Sequence, residues 1–259
     1  MVWAGKAPAE YHGVRVEDGF LRSKGLGANL VPPLSLVCDD LGIYYDPQRP
    51  SRLERLIAAS TDLRPDQLRR AENLIASLTA QNITKYNLAG ARLALPNGYK
   101  ILVPGQVEDD ASILTGSTGI QTNSDLLARA RAENPDATIL YKPHPDVEAG
   151  LRKGKIENAL TWADMVLDQA DIGDLFGQVD EVWTMTSLMG FEALLRGLKV
   201  TTVGAPFYAG WGLTRDLGKI PPRRRANVPI QALVHATLIA LPKIFRSRHR
   251  QSMPCRSDC

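Results

Sequence analysis

Lys100-Ile-Leu-Val-Pro104, Thr138-Ile-Leu-Tyr-Lys142, Glu181-Val-Trp-Thr-Met185 and Lys199-Val-Thr-Thr-Val203 are four short apolar runs separated by longer, helix-compatible stretches. Strand, loop and helix in alternation is the pattern of a parallel sheet flanked by helices. Ser124 is read as the cap of a helix running to Glu133. Ser187 is read as the cap of one running through Ala193 to Gly197, where the glycine supplies a stop.

Upstream the texture differs. A first strand is expected at Val14–Glu17, followed by the breaker Asp18-Gly19 and the Gly-rich loop Lys24-Gly-Leu-Gly27. Leu34–Val37 and Leu41–Tyr45 read as short strands around Asp39-Asp40. Ser51 caps a helix over Arg52–Ala59, and Pro65 opens a longer one through Ala80 whose Leu68, Ala71, Leu74, Ile75 and Leu78 recur at helical spacing. The Pro96-Asn-Gly98 turn within Arg92–Gly98 marks the join. The domains expected are residues 1–95, residues 96–245 and a basic tail over 246–259.

The chain has 259 residues, 44% hydrophobic and 23% charged, an ordinary globular composition. Residues 219–259 hold nine Lys and Arg against Asp258 alone, leaving 22 basic against 27 acidic in the rest. An acidic body with a modest basic tail speaks against nucleic acid as a partner and is compatible with attraction to anionic lipid. Cys38, Cys255 and Cys259 show neither disulfide nor zinc spacing, which fits a reducing compartment. No run approaches the ~20 apolar residues of a membrane span. A cytoplasmic protein is expected. Pro229–Phe245 reads as a packed or surface helix, or as a membrane-docking one extended by Arg246, Arg248 and Arg250.

In an open parallel sheet, ligands bind beyond the C-terminal ends of the strands. The residues following each run here are polar: Glu17 and Asp18; Gln106, Glu108, Asp109 and Asp110; His144 and Asp146; Thr186 and Ser187. Lys142-Pro-His-Pro145 is a turn stiffened by two prolines that either presents His144 to a phosphate or leaving group or is a plain surface turn. Each acidic cluster is either a turn or cap or part of a carboxylate pair, the minimum equipment for substitution at an anomeric carbon. Thr186 and Ser187 open a helix whose free N–H groups suit a phosphate. Pro206-Phe-Tyr-Ala-Gly-Trp-Gly-Leu213 is either a packed loop or a stacking wall. His12, His235 and His249 stand in no metal-ligating relation to His144, so no metal is assigned. The P-loop, dinucleotide and nucleophile-elbow signatures are absent. Glycosyl or phosphoryl transfer remains favoured.

Val16-Glu-Asp-Gly-Phe-Leu-Arg-Ser23, Pro33-Leu-Ser-Leu36, Gly42-Ile-Tyr-Tyr-Asp46, Lys85-Tyr-Asn87, Pro104-Gly-Gln-Val-Glu-Asp-Asp110, Tyr141-Lys-Pro-His-Pro145, Thr186-Ser-Leu-Met-Gly-Phe-Glu192 and Pro206-Phe-Tyr-Ala-Gly-Trp-Gly-Leu-Thr214 together resemble the capsule polysaccharide β-Kdo transferases of the KpsC type. The resemblance runs from about Val14 to Leu241. It implies an α/β, GT-B-like architecture: a parallel-sheet Rossmann-type C-terminal domain beside a smaller N-terminal α/β domain. It further implies a retaining glycosyltransferase that takes Kdo from CMP-Kdo, a substrate and not a cofactor, to a Kdo/lyso-phosphatidylglycerol linker. The place implied is peripheral to the inner membrane, on its cytoplasmic side, with a glycolipid acceptor and other capsule-assembly proteins as partners.

Carried over by position, the resemblance makes Asp110 the nucleophile and Asp18 or Glu17 the acid/base. Gln106, Lys142, His144, Pro145, Thr186, Ser187 and Glu192 become donor-binding residues: His144 and Pro145 as the CMP-contacting turn, Ser187 at the phosphate, Glu192 at the ribose. Met1-Val-Trp-Ala-Gly-Lys6 is similar to the family's early strand and turn. With 16 residues before Glu17, an incomplete N-terminal domain is expected. The alternative function is a catalytically inactive CMP-sugar-binding fragment or partner subunit.

Overall fold

The computed structural model describes residues 1–8, 10–25, 31–87 and 90–244. The tail over 246–259, Gly27 of the early loop and Phe245 lie outside them. The chain opens with β1 (Val2–Trp3), β2 (Arg15–Asp18) and β3 (Ser35–Asp39). β1 runs parallel to β2, and β3 antiparallel to it, with Val16 opposite Cys38 and Glu17 opposite Val37. The residues Leu41–Tyr45 are not a strand. The buried Asp39 carboxylate accepts the N–H groups of Leu41, Gly42 and Arg52 at 2.9, 2.9 and 2.8 Å, drawing the chain into a turn that delivers it to the next helix.

That helix is α1 (Arg52–Ala59), capped by a reciprocal pair: Ser51 Oγ accepts from Glu54 N, and the Glu54 carboxylate accepts from Ser51 N. α2 (Pro65–Ala80) follows with proline in its first turn and buries Ala71 and Leu78 from the expected stripe.

The second half alternates as the four runs predict: β4 (Lys100–Pro104), α3 (Ala111–Gly116), α4 (Asn123–Glu133), β5 (Thr138–Lys142), α5 (Pro145–Glu148), β6 (Met165–Val166), α6 (Ile172–Phe176), β7 (Glu181–Thr184), α7 (Leu188–Leu194), β8 (Lys199–Thr202) and β9 (Arg215–Asp216). The strands form one parallel sheet in the order β6-β5-β4-β7-β8-β9. Chain order reverses beside β4, so the loops after β4, β5 and β7 rise together at one edge. α4 starts earlier than the sequence reading: Thr122, not Ser124, is the cap, its Oγ1 accepting from Asp125 N at 3.1 Å. Gly197 takes φ +74° just past α7, the stop expected of it.

Pro229–Phe245 is not one helix. α8 (Ile230–Val234) passes into a π-helical turn at His235–Ala240, and Pro242–Ile244 becomes β10. Pro242 has no N–H to continue a helix, and β10 pairs antiparallel with β3, Pro242 opposite Val37. The smaller sheet therefore has the order β1-β2-β3-β10. α2 packs against α8 and the π turn. One apolar core joins both sheets, with Phe20, Val37 and Leu53 from the first part, Leu102 and Val182 from the large sheet, and Leu233 from α8. Among the described residues no helix is long and apolar enough to cross a membrane.

Candidate active site

At the C-terminal edge of β4, β5 and β7 the two parts enclose a cleft of about 390 Å³. Glu17, Gln106, Asp110, Lys142, His144, Pro145, Thr186, Ser187 and Glu192 all line it. Asp18 is the one expected site residue outside that wall: its carboxylate forms an ion pair with Arg22. Strand alternation turns Glu17 and Asp18 to opposite faces.

Gly105 brings the β4 and β5 loops together. Its N–H donates to Lys142 O at 2.7 Å, and a Cβ there would stand 2.7 Å from Tyr141 Oη and 3.2 Å from His144 N, so only glycine admits this approach. Gln106 then crosses to β7. Its Oε1 accepts from Thr184 Oγ1 at 3.1 Å and Thr186 N at 3.0 Å, while its Nε2 donates to Thr186 Oγ1 at 2.9 Å. This buried amide clamps the start of α7 to the end of β4.

Asp110 caps α3, its Oδ1 accepting from Ser112 N at 2.9 Å and Ser112 Oγ at 2.7 Å. Its other oxygen has no hydrogen bond among the described residues, and the residue is exposed. Glu108 and Asp109 have structural partners, Asn123 N and Arg152 respectively. Glu17 is half-buried. Burial raises its carboxyl above the ordinary glutamate range, and the charges of Asp18 and Asp110 add to that, against the Asp18 N–H and Lys85.

His144 caps α5 through Nδ1, which accepts from Asp146 N at 3.2 Å. A neutral ring with Nδ1 as acceptor carries its proton on Nε2. Burial lowers the His144 pKa, which favours that neutral form; Lys85 and Lys142 push the same way, Asp146 and Asp110 oppose. Lys142 is buried and paired with Glu148 at 3.0 Å. Ser187 caps α7, its Oγ accepting from Met189 N at 3.2 Å. Glu192 is buried on α7, its Oε1 accepting from Lys85 N at 2.6 Å, and desolvation pushes its pKa up to about 7. Among the described residues no cluster of His, Cys, Asp or Glu is arranged to hold a metal.

The aromatic loop is mainly packing. Tyr208 and Trp211 are buried, and the Trp211 indole donates to Phe207 O at 2.8 Å. Only Pro206 and Phe207 reach the cleft, Phe207 with its ring 4.8 Å from that of Phe20. Lys85, Tyr86 and Arg152 also line the wall, and strand-end reasoning passes over them. Lys85 follows a helix, so its only sequence signal is its place in the Lys85-Tyr-Asn87 motif.

A parallel α/β sheet facing a smaller sheet across a ligand-sized cleft is the GT-B-like arrangement. Residues 4–96 and 66–244 match the family described as capsule polysaccharide biosynthesis protein, and the chain belongs to that family. It is 49% identical over 252 residues to LipA, a capsule polysaccharide modification protein of Neisseria meningitidis serogroup A, covering 95% of this chain and 36% of LipA. It is 44% identical over 236 residues to LpsZ, a lipopolysaccharide-processing protein of Rhizobium meliloti, covering 88% of this chain and 53% of LpsZ. The chain thus spans about a third and about half of the length of these relatives. Two solved structures of Thermosulfurimonas dismutans KpsC are similar to it. One is the beta Kdo 2,4 transferase, with TM-score 0.81 and 36% identity over 90% of this chain and 73% of that one. The other is the beta Kdo 2,7 transferase, with TM-score 0.78 and 38% identity over 94% and 74%.

Proposed function

We propose that the cleft is the donor site of a retaining β-Kdo glycosyltransferase, moving Kdo from CMP-Kdo to a Kdo-bearing lyso-phosphatidylglycerol linker at the membrane surface. The observation that carries this reading is the meeting of Glu17, Asp110 and His144, from three distant segments, on one wall. The likeness to two Kdo transferases supports the sugar and the reaction class.

In this scheme the Asp110 carboxylate attacks the anomeric carbon while the carbon–oxygen bond to CMP breaks, and its electron pair leaves on the phosphate. His144 Nε2–H and the residues opening α7 meet that charge. The acceptor hydroxyl then displaces Asp110, passing its proton to Glu17. Two inversions give retention. A carboxylate with a raised pKa is the stronger base, which favours Glu17 over the ion-paired Asp18 for this role.

Thermal-shift titration with CMP, followed by transfer from CMP-Kdo to a Kdo-bearing lipid, tests the reading. Asp110→Asn is expected to abolish transfer and to leave CMP binding within about twofold of wild type. CMP binding without any turnover by the wild-type chain would assign it instead as an inactive CMP-sugar-binding module. No response to cytidine nucleotides would overturn both.

A further inference from the structure

Four basic side chains reach the cleft: two are cations already paired with carboxylates, and burial favours the neutral form of a third, a histidine. Lys142 is paired with Glu148 at 3.0 Å, Arg152 with Asp109 at 2.9 Å, and His144 gives Nδ1 to the Asp146 N–H. Lys85 has no carboxylate within ion-pair distance among the described residues; its ammonium is hydrogen-bonded to the Tyr86 side chain and lies 5.0 Å from the centroid of that ring.

The backbone fixes where Lys85 stands. Its N–H is held by Glu192, and its carbonyl accepts from Arg22 N and Ser23 N at 3.1 and 3.2 Å. Beside it, Thr84 N donates to Asn87 Oδ1 at 3.0 Å, Asn87 N returns to Thr84 Oγ1 at 3.1 Å, and Asn87 Nδ2 donates to Ser23 O at 2.9 Å. The turn is thereby riveted to the segment that follows the acidic strand. From there the ammonium interacts electrostatically with Glu17, Asp18 and His144. Lys85 thus lines the same cleft as Glu17 and His144.

We propose that Lys85 is the specificity-determining cation that receives the carboxylate of an acidic donor sugar, a 2-ulosonic acid. This deepens the transferase reading and rests on it. In such a sugar the carboxylate is attached to the anomeric carbon, next to the bond to phosphate, so its counter-charge belongs in the cleft that holds both the acids and the His144 turn. Electrostatics also demands one. A sugar carboxylate entering beside Glu17 and Asp110 meets like charge, and an ammonium without a carboxylate partner in a half-buried cleft offsets that repulsion. A neutral sugar needs no such group.

The test compares CMP with CMP-Kdo as ligands for wild type, Lys85→Met and Lys85→Arg by calorimetric titration. All three proteins are expected to bind CMP alike, since the bonds that tie this turn to Glu192, Arg22 and Ser23 are made by the Lys85 main chain. The additional affinity for CMP-Kdo over CMP is expected to fall about tenfold or more in Lys85→Met and to be largely kept in Lys85→Arg. Equal CMP-Kdo preference in wild type and Lys85→Met overturns the inference while leaving the transferase reading in place. Failure of the wild-type chain to bind either ligand overturns the transferase reading and this inference with it.

Discussion

Arg224 Nε donates to Glu54 Oε1 at 2.7 Å, and Arg223 Nε donates to Oε2 of the same carboxylate at 2.7 Å. One buried acid thus joins α1 to the segment before α8, while Arg224 Nη1 also donates to the carbonyls of Ala205, Pro206 and Ala209. The wall of the cleft at Pro206 and Phe207 is held from behind by this guanidinium. Removing the acid leaves a buried cation without its partner, which costs about 3–5 kcal/mol. Glu54→Ala is therefore expected to lose that much stability in urea denaturation, and Glu54→Ala combined with Arg224→Met less than the sum of the two single changes.

Glu192 predicts a pH dependence of stability. Its pKa in the folded chain is about 7, above its unfolded value, because desolvation disfavours the charged form. The folded state therefore binds more protons than the unfolded one between roughly pH 4.5 and 7, and stability falls as pH rises across that window. The whole effect is on the order of 3 kcal/mol for the acid alone. Denaturation of wild type and Glu192→Gln at pH 5 and pH 8 should show a smaller pH difference in the variant.

His144 titrates in the opposite sense. Its pKa is lowered, so its contribution to stability is present above the unfolded value and is lost as pH falls through the folded one. Burial is the main cause and the Lys85 charge contributes. A histidine-resolved NMR titration should place His144 below the free imidazole value, and Lys85→Met should move it upward.

Gln106 predicts a packing effect that is distinct from ligand contact. Truncation to alanine strands the buried Thr184 hydroxyl and the Thr186 N–H, at a cost of about 1–3 kcal/mol. Gln106→Ala should lower the thermal midpoint in the absence of any ligand, and Gln106→Glu, which keeps the acceptor, should lower it less.

Much of the fold was legible because the large sheet announces itself locally. β4 and β5 fall on the predicted boundaries, and α1 and α2 follow directly from Ser51 and Pro65. The errors lie where a distant partner decides. The Leu41–Tyr45 run has strand-like composition, yet a single carboxylate, Asp39, takes up its first N–H groups. Pro242–Ile244 looks helical from its apolar neighbours and becomes a strand only because β3 offers an edge 200 residues away in the chain. In the cleft, the polar strand ends marked most of the wall. Lys85 escaped because it sits on a turn with no strand before it, and the diversion of Asp18 to Arg22 is a matter of side-chain direction that spacing alone does not encode.

β10 has a mechanical corollary. Because the last described strand is hydrogen-bonded to β3, the polypeptide crosses between the two sheets twice, once between α2 and β4 and once between β9 and β10. The smaller sheet is therefore complete only once residues 242–244 are in place, and without them the β3 edge is left unpaired.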